Sequence, residues 1–277
     1  MNIYDETCCT LGEGPLWHPE RKELFWFDIL SKRLHVKGRS WDFPHYVSAA
    51  GWAADDKLLV ASAVGLHLFD IENGNIDDVA PMEADNPVTR SNDGRADPYG
   101  GFWIGTMGIK AEHKAGAYYR YYKGELRELF PNISIPNATC FSPDGSTAYF
   151  GDTPEKKVWK VALDSDGWPK GDPEVLVDMD GTPHKPDGAV CDSAGNLWIA
   201  EWGSHRVAVH GADGTYLTAI GLPPLQTSCP AFGGAEMSTL FVTSAAEGLD
   251  DPLNPHHGRT FMVETTTTGQ AEHQVIL

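Results

Sequence analysis

A short apolar strand recurs six times along this chain, and each copy follows a polar turn. The copies read LFWFD at Leu24, LLVAS at Leu58, FWIGT at Phe102, AYFGD at Ala148, LWIAE at Leu197 and LFVTS at Leu240, with successive starts 34, 44, 46, 49 and 43 residues apart. Most copies lead into a second extended run and another turn, as in KRLHVKG from Lys32, GLHLFDIENG from Gly65, KVWKVALDSDG from Lys157 and HRVAVHGADG from His205. Strings such as SPDG and DSAGN, just ahead of the Ala148 and Leu197 strands, are turn chemistry. No segment carries a sustained helical period.

Units of ~40–50 residues with about four short strands each are the mark of a β-propeller. One such sheet cannot bury both of its faces, so copies must stack around an axis. Six copies predict an all-β, six-bladed propeller, with residues 1–277 forming one domain. The rival arrangement, two β-sandwiches, lacks support because no linker or composition shift divides the chain. The segment ahead of Glu13 and the C-terminal AEHQVIL both read as extended. We expect them to pair within one blade and close the ring, since an open ring leaves bare sheet edges.

Charge narrows the partners. A net charge of −18 disfavours nucleic acid and anionic membrane surfaces. No apolar run approaches the ~18 residues of a membrane span. The first residues, MNIYDETCCT, lack a basic stretch leading into an apolar one, so no leader peptide and a cytoplasmic location are expected. Five cysteines, odd in number and without a C-x-x-C pair, suit free thiols in a reducing compartment better than a zinc site.

If the recurring strand is second in each blade, the innermost strand precedes it and starts at one mouth of the central channel. Counting back ten or eleven residues lands on Glu13, Asn92, Asn137 and Asp187, near Val47 or Ser48 in the second repeat, and on Cys229 in the sixth. Taken alone, GEGP, PNA and PDG are ordinary turn strings. Their shared register is what points them at one place. Convergent oxygen donors without cysteine suit a hard or borderline divalent cation such as calcium, zinc, manganese or iron(II). Glu13, Asn137 and Asp187 are the candidate ligands, and they leave coordination positions open to water and substrate. Arg90, two residues before Asn92, shares its side of an extended strand and reaches toward the same mouth. Asp93, beside Gly94, reads as turn or supporting residue, and His184 as an exposed loop histidine.

At these residues the sequence resembles the gluconolactonase–regucalcin family, also called the senescence-marker-protein family. The matching pieces are LGEGPLW, RSNDGRADPYGGFWIGTM, IPNATCFSPDG and KPDGAVCDSAGNLWIAEW, then AFGG, spread from Leu11 to Gly234. The resemblance implies a six-bladed propeller with one catalytic divalent metal that hydrolyses sugar lactones. By motif, Glu13, Asn137 and Asp187 match the metal ligands, and Arg90 and Asn92 match substrate-contacting residues. Where the family's vertebrate branch has a substrate-contacting glutamate three residues after GTM, this chain has Lys110, with Glu112 two residues further on. Both are therefore candidate substrate-binding residues.

The expected activity is metal-assisted opening of a cyclic ester, with Asp187 as candidate general base. A promiscuous ester or organophosphate hydrolase on the same fold is the alternative enzyme, and a cation-binding propeller without turnover is the alternative outside enzymes. No G-x-S-x-G elbow offers a covalent route.

Overall fold

A computed structural model describes residues 1–251 and 254–277. It contains twenty-four strands and, among the described residues, no helix. The strands form six four-stranded antiparallel sheets, and in the first five each sheet is laid down in chain order. Blade 1 begins with the innermost strand Gly12–His18, blade 2 with Val47–Ala54, blade 3 with Thr89–Ala96, blade 4 with Pro136–Phe141, blade 5 with Pro186–Cys191 and blade 6 with Gln226–Gly233. Each innermost strand packs on that of the next blade, and blade 6 returns to blade 1, so the ring is closed. The six-bladed propeller expected from the repeat is the fold observed.

The second strands show why the repeat was visible. Glu23–Asp28 and Phe102–Gly108 are buried along almost their whole length, on both faces. A strand covered by neighbouring blades on both sides must be apolar throughout, which erases the alternation of a half-exposed strand. Outermost strands such as Ile76–Pro81 and Tyr216–Gly221 are largely exposed and carry no such signal.

Ring closure differs from expectation in its partner. The N-terminal strand Asn2–Asp5 does complete blade 6, but it pairs with Thr260–Glu264, placing Ile3 opposite Phe261. AEHQVIL forms no strand and has no place in that ladder's pairing. It runs across the end of the channel where the innermost strands finish. Gln270 Nε2 donates to the carbonyls of Phe141 and Cys191, the last residues of the innermost strands of blades 4 and 5. The Val275 N–H donates to Trp52 O and the Ile276 N–H to Gly100 O. Val275 is buried among Ala49, Ala96 and Phe102. In the segment that looked like an edge strand, Val275 instead plugs the channel floor, while Ile276 and Leu277 stay exposed. All five cysteines are free, and only Cys8 is exposed.

Candidate active site at the channel mouth

All six innermost strands carry a register irregularity at the same place. It falls at Glu13–Leu16, Val47–Ala49, Ser91–Gly94, Asn137–Cys140, Pro186–Ala189 and Thr227–Pro230. A bulge adds a residue to one strand and re-aims its side chains. Six in register turn one ring of residues toward the channel. In blade 1 the bulge needs Gly14, which has φ of +52° and a would-be Cβ 2.2 Å from Ser48 O. That is the local reason for glycine after Glu13.

The chain entering these bulges is pinned from behind. Asp28, at the end of the second strand of blade 1, accepts the N–H groups of Thr10 (2.9 Å) and Leu11 (3.0 Å). Asp152 does the same in blade 4 for Ser134 and Ile135, both at 2.9 Å. The backbone is thus fixed two to three residues ahead of Glu13 and of Asn137.

Glu13, Arg90, Asn92, Asn137 and Asp187 line one cavity of about 590 Å³, together with Lys110, Lys185, Thr153, Glu247 and an apolar wall that includes Leu11, Leu30, Met107, Ile109 and Trp202. The amides are held in fixed orientations. Asn137 Nδ2 donates to Thr153 Oγ1 (2.8 Å), and that hydroxyl donates to Pro186 O (2.7 Å). The Asn137 amide oxygen is left facing inward, with only a long 3.4 Å contact from Asn92 Nδ2. Asn92 Nδ2 donates at 2.9 Å to Pro136 O, and Asn92 Oδ1 accepts from Arg90 Nη1 at 2.8 Å. Each of these contacts ties one blade or residue to the next around the mouth.

The charges are less well served. Glu13 and Asp187 are buried, and among the described residues Asp187 Oδ2 has no hydrogen-bond partner. Burial is the largest cause raising both carboxyls above the ordinary range, with Asp93 adding to it at Glu13, and Glu13 then Asp93 at Asp187. Arg90 is lowered to about 10 by burial, against the pull of Glu13 and Glu247, and its Nε lacks a partner. Asp93 itself turns away to accept the Thr139 N–H at 2.7 Å. Two buried carboxylates, one of them with an orphaned oxygen, and an inward amide oxygen make a donor set suited to a hard cation. Among the described residues no three His, Cys, Asp or Glu side chains group as a metal site; the third donor here is an amide.

The equivalent innermost-strand positions of blades 2 and 6 do not line the cavity. Ser48 Oγ donates to Ser91 Oγ at 2.7 Å, Ser228 donates to Gly12 O, and Cys229 lies buried against Gly188. Glu112 is not on the cavity wall; its carboxylate turns back to accept the Lys110 N–H at 3.0 Å. His184 also lies off the wall, bonded to Ser204 and paired with Glu201, both at 3.0 Å. Thr153, Lys185, Trp202 and Glu247 were not anticipated. Counting forward five residues from the second-strand starts finds Met107, Thr153 and Trp202, so the same repeat held that signal.

Comparison with known proteins agrees with this architecture. Residues 11–246 match the SMP-30/Gluconolactonase/LRE-like region. The chain is 35% identical to an L-arabinolactonase of Azospirillum brasilense, over 96% of this chain and 92% of that one. It is 33% identical to a pentonolactonase of Haloferax volcanii, over 96% and 95%. Among solved structures, a calcium-binding protein, regucalcin, from Agrobacterium tumefaciens superposes with a TM-score of 0.97 at 43% identity, covering 100% of this chain and 97% of that one. The chain therefore belongs to the SMP-30/gluconolactonase/LRE-like family.

Proposed function

We propose that the mouth cavity hydrolyses a sugar lactone to the free sugar acid, with a divalent cation held by Glu13, Asn137 and Asp187. The observation that carries this reading is the partnerless, buried Asp187 Oδ2 beside Glu13 and the inward Asn137 oxygen, in a cavity large enough for a sugar ring. The lactonase names of two relatives support the reaction class, and the calcium-binding name of the structural neighbour supports a hard cation. Glu13, Asn137 and Asp187 would hold a divalent cation, which would supply polarisation of the ester carbonyl and a lowered pKa for a nearby water.

The chain's own groups do the rest. Arg90 and Asn92, locked to each other, orient the sugar hydroxyls or the ring ester oxygen, and the free Arg90 Nε is available as a further donor. Asp187 takes a proton from the attacking water as its oxygen bonds to the carbonyl carbon. The ring C–O bond then breaks, and the same proton passes to the leaving alkoxide. Leu30, Met107, Ile109 and Trp202 wall the reacting centre from bulk water.

The test is an aldonolactone panel with metal-stripped protein, restored in turn with calcium, zinc, manganese and iron(II). Restored ring opening by at least one ion, lost again in Asp187→Asn, is the expected result. Cation binding without hydrolysis of any lactone would sink the reading.

A further inference from the structure

The cavity's charges are arranged unevenly, and that bears on what enters it. Its charged side chains are Glu13, Asp187 and Glu247 against Arg90, Lys110 and Lys185. These cancel, so a divalent cation on Glu13 and Asp187 leaves two positive charges in excess, in a chain whose net charge is −18. The placement is directional. Glu13 belongs to blade 1 and Glu247 follows the second strand of blade 6, whereas Arg90 and Lys110 belong to blade 3 and Lys185 leads into blade 5. The basic groups thus flank blade 4, across the ring from Glu13 and Glu247 but above Asn137 of blade 4 and Asp187 of blade 5, which are buried where the two lysines are exposed. Among the described residues, none of the three takes part in an ion pair with an acid, whereas Lys57, Lys157 and Lys160 do. Arg90 is buried with an unpartnered Nε, and the two lysines are exposed at the rim.

We propose that the preferred substrate is an anionic sugar lactone, with a carboxylate, phosphate or sulfonate remote from the ester, held by Lys110 and Lys185 over blade 4. This rests on the lactonase reading and adds the substrate class. An uncompensated acidic surface repels an approaching anion, and local cations at the entrance reverse that field where it matters. With the ester end at the buried donors Glu13, Asn137 and Asp187, a six-carbon chain points its far end outward, toward the two exposed lysines at the rim. The cavity of about 590 Å³ leaves room for that added group. Lysine as a mobile point charge suits a terminal anion of variable shape.

The experiment has two arms on the cation-loaded full chain. In the first, kcat/KM is measured for gluconolactone, glucarolactone and phosphogluconolactone, with wild type and with the K110Q/K185Q variant, at low and high salt. We expect the charged lactones to be favoured about tenfold or more over gluconolactone, the ratio falling toward unity in the variant and with added salt. The better of the two charged lactones identifies the anion. In the second arm, calorimetry compares D-glucarate with D-gluconate, which differ by one carboxylate and need no turnover. Tighter glucarate binding in wild type, lost in the variant, supports the proposal even if no lactone opens, in which case only the lactonase reading falls. Lactones opened without regard to charge, with glucarate binding no tighter than gluconate, overturn the proposal and leave the lactonase reading standing. The lysines are exposed, so the variant should fold, and an unchanged Tm verifies that it does.

Discussion

The two ends of the channel are built from the same six strands and treat buried charge in opposite ways. At the floor, Arg95 is paired with Glu272 of the tail and also donates to Thr139 O at 3.2 Å and Ala189 O at 3.4 Å. At the mouth, Glu13 and Asp187 lie buried, and among the described residues neither has a cationic partner in contact and one oxygen of Asp187 has no hydrogen-bond partner. A buried charge left uncompensated is costly, and folding alone gains nothing from it. The floor is therefore a structural closure, whereas the charges at the mouth are left uncompensated, as the proposed cation site requires. Substitutions at the two ends should separate stability from activity.

The largest expected effect is on turnover at the mouth. Asp187→Asn should lower kcat by about 10²–10⁴-fold, the range for losing a positioned base, while leaving the Tm of the metal-free protein equal or higher. Lactone hydrolysis and a thermal melt on the same sample check both halves. A large loss of stability would mean that Asp187 is a structural residue.

At the floor the balance should invert. Arg95→Leu leaves Glu272 buried without a partner and should cost about 3–5 kcal/mol, measured by urea unfolding. Its residual folded fraction should still open lactones. The C-terminal plug gives a related contrast: blade 6 is closed by Asn2–Asp5 on Thr260–Glu264, so truncating the tail should lower the Tm without splitting the single transition.

How much of this was legible in the sequence follows from burial. Second strands such as Phe102–Gly108 are covered on both faces, so their apolar runs stand out, and the innermost strands follow at a fixed offset. That offset located Glu13, Asn92, Asn137 and Asp187 because every innermost strand bulges at the same step. The tail was misread because an apolar plug and an edge strand share a composition, and a plug has no period to betray it. Lys185 and Glu247 were missed because loop residues at the mouth are placed by the turns between strands rather than by the strand register. Glu112 illustrates the same point: the tight turn at Gly108 folds its carboxylate onto the Lys110 N–H.

A pH series sharpens the comparison further. The carboxyls of Glu13 and Asp187 are raised in the fold, so the folded state holds their protons where the unfolded chain has released them. Their contribution is fully present below the ordinary carboxylate pKa and is lost as pH rises through the raised values. Metal-free protein should therefore lose stability as pH climbs out of the carboxylate range, and a bound cation should reduce that slope. Urea midpoints across pH, with and without calcium, measure it. The smallest effect is expected for Glu112→Ala, which removes one exposed local hydrogen bond and should change kcat/KM by no more than about tenfold.

The most direct measurement is a calcium titration of metal-stripped protein followed by Tm, in wild type and in the E13Q/D187N variant. Ligand binding to the folded state alone raises stability by about 2.7 kcal/mol at a hundredfold excess over Kd. The account predicts a clear, saturable rise in wild type and none in the variant, which should itself melt no lower than metal-free wild type. An equal rise in both proteins would place the cation elsewhere and contradict the assignment of the mouth.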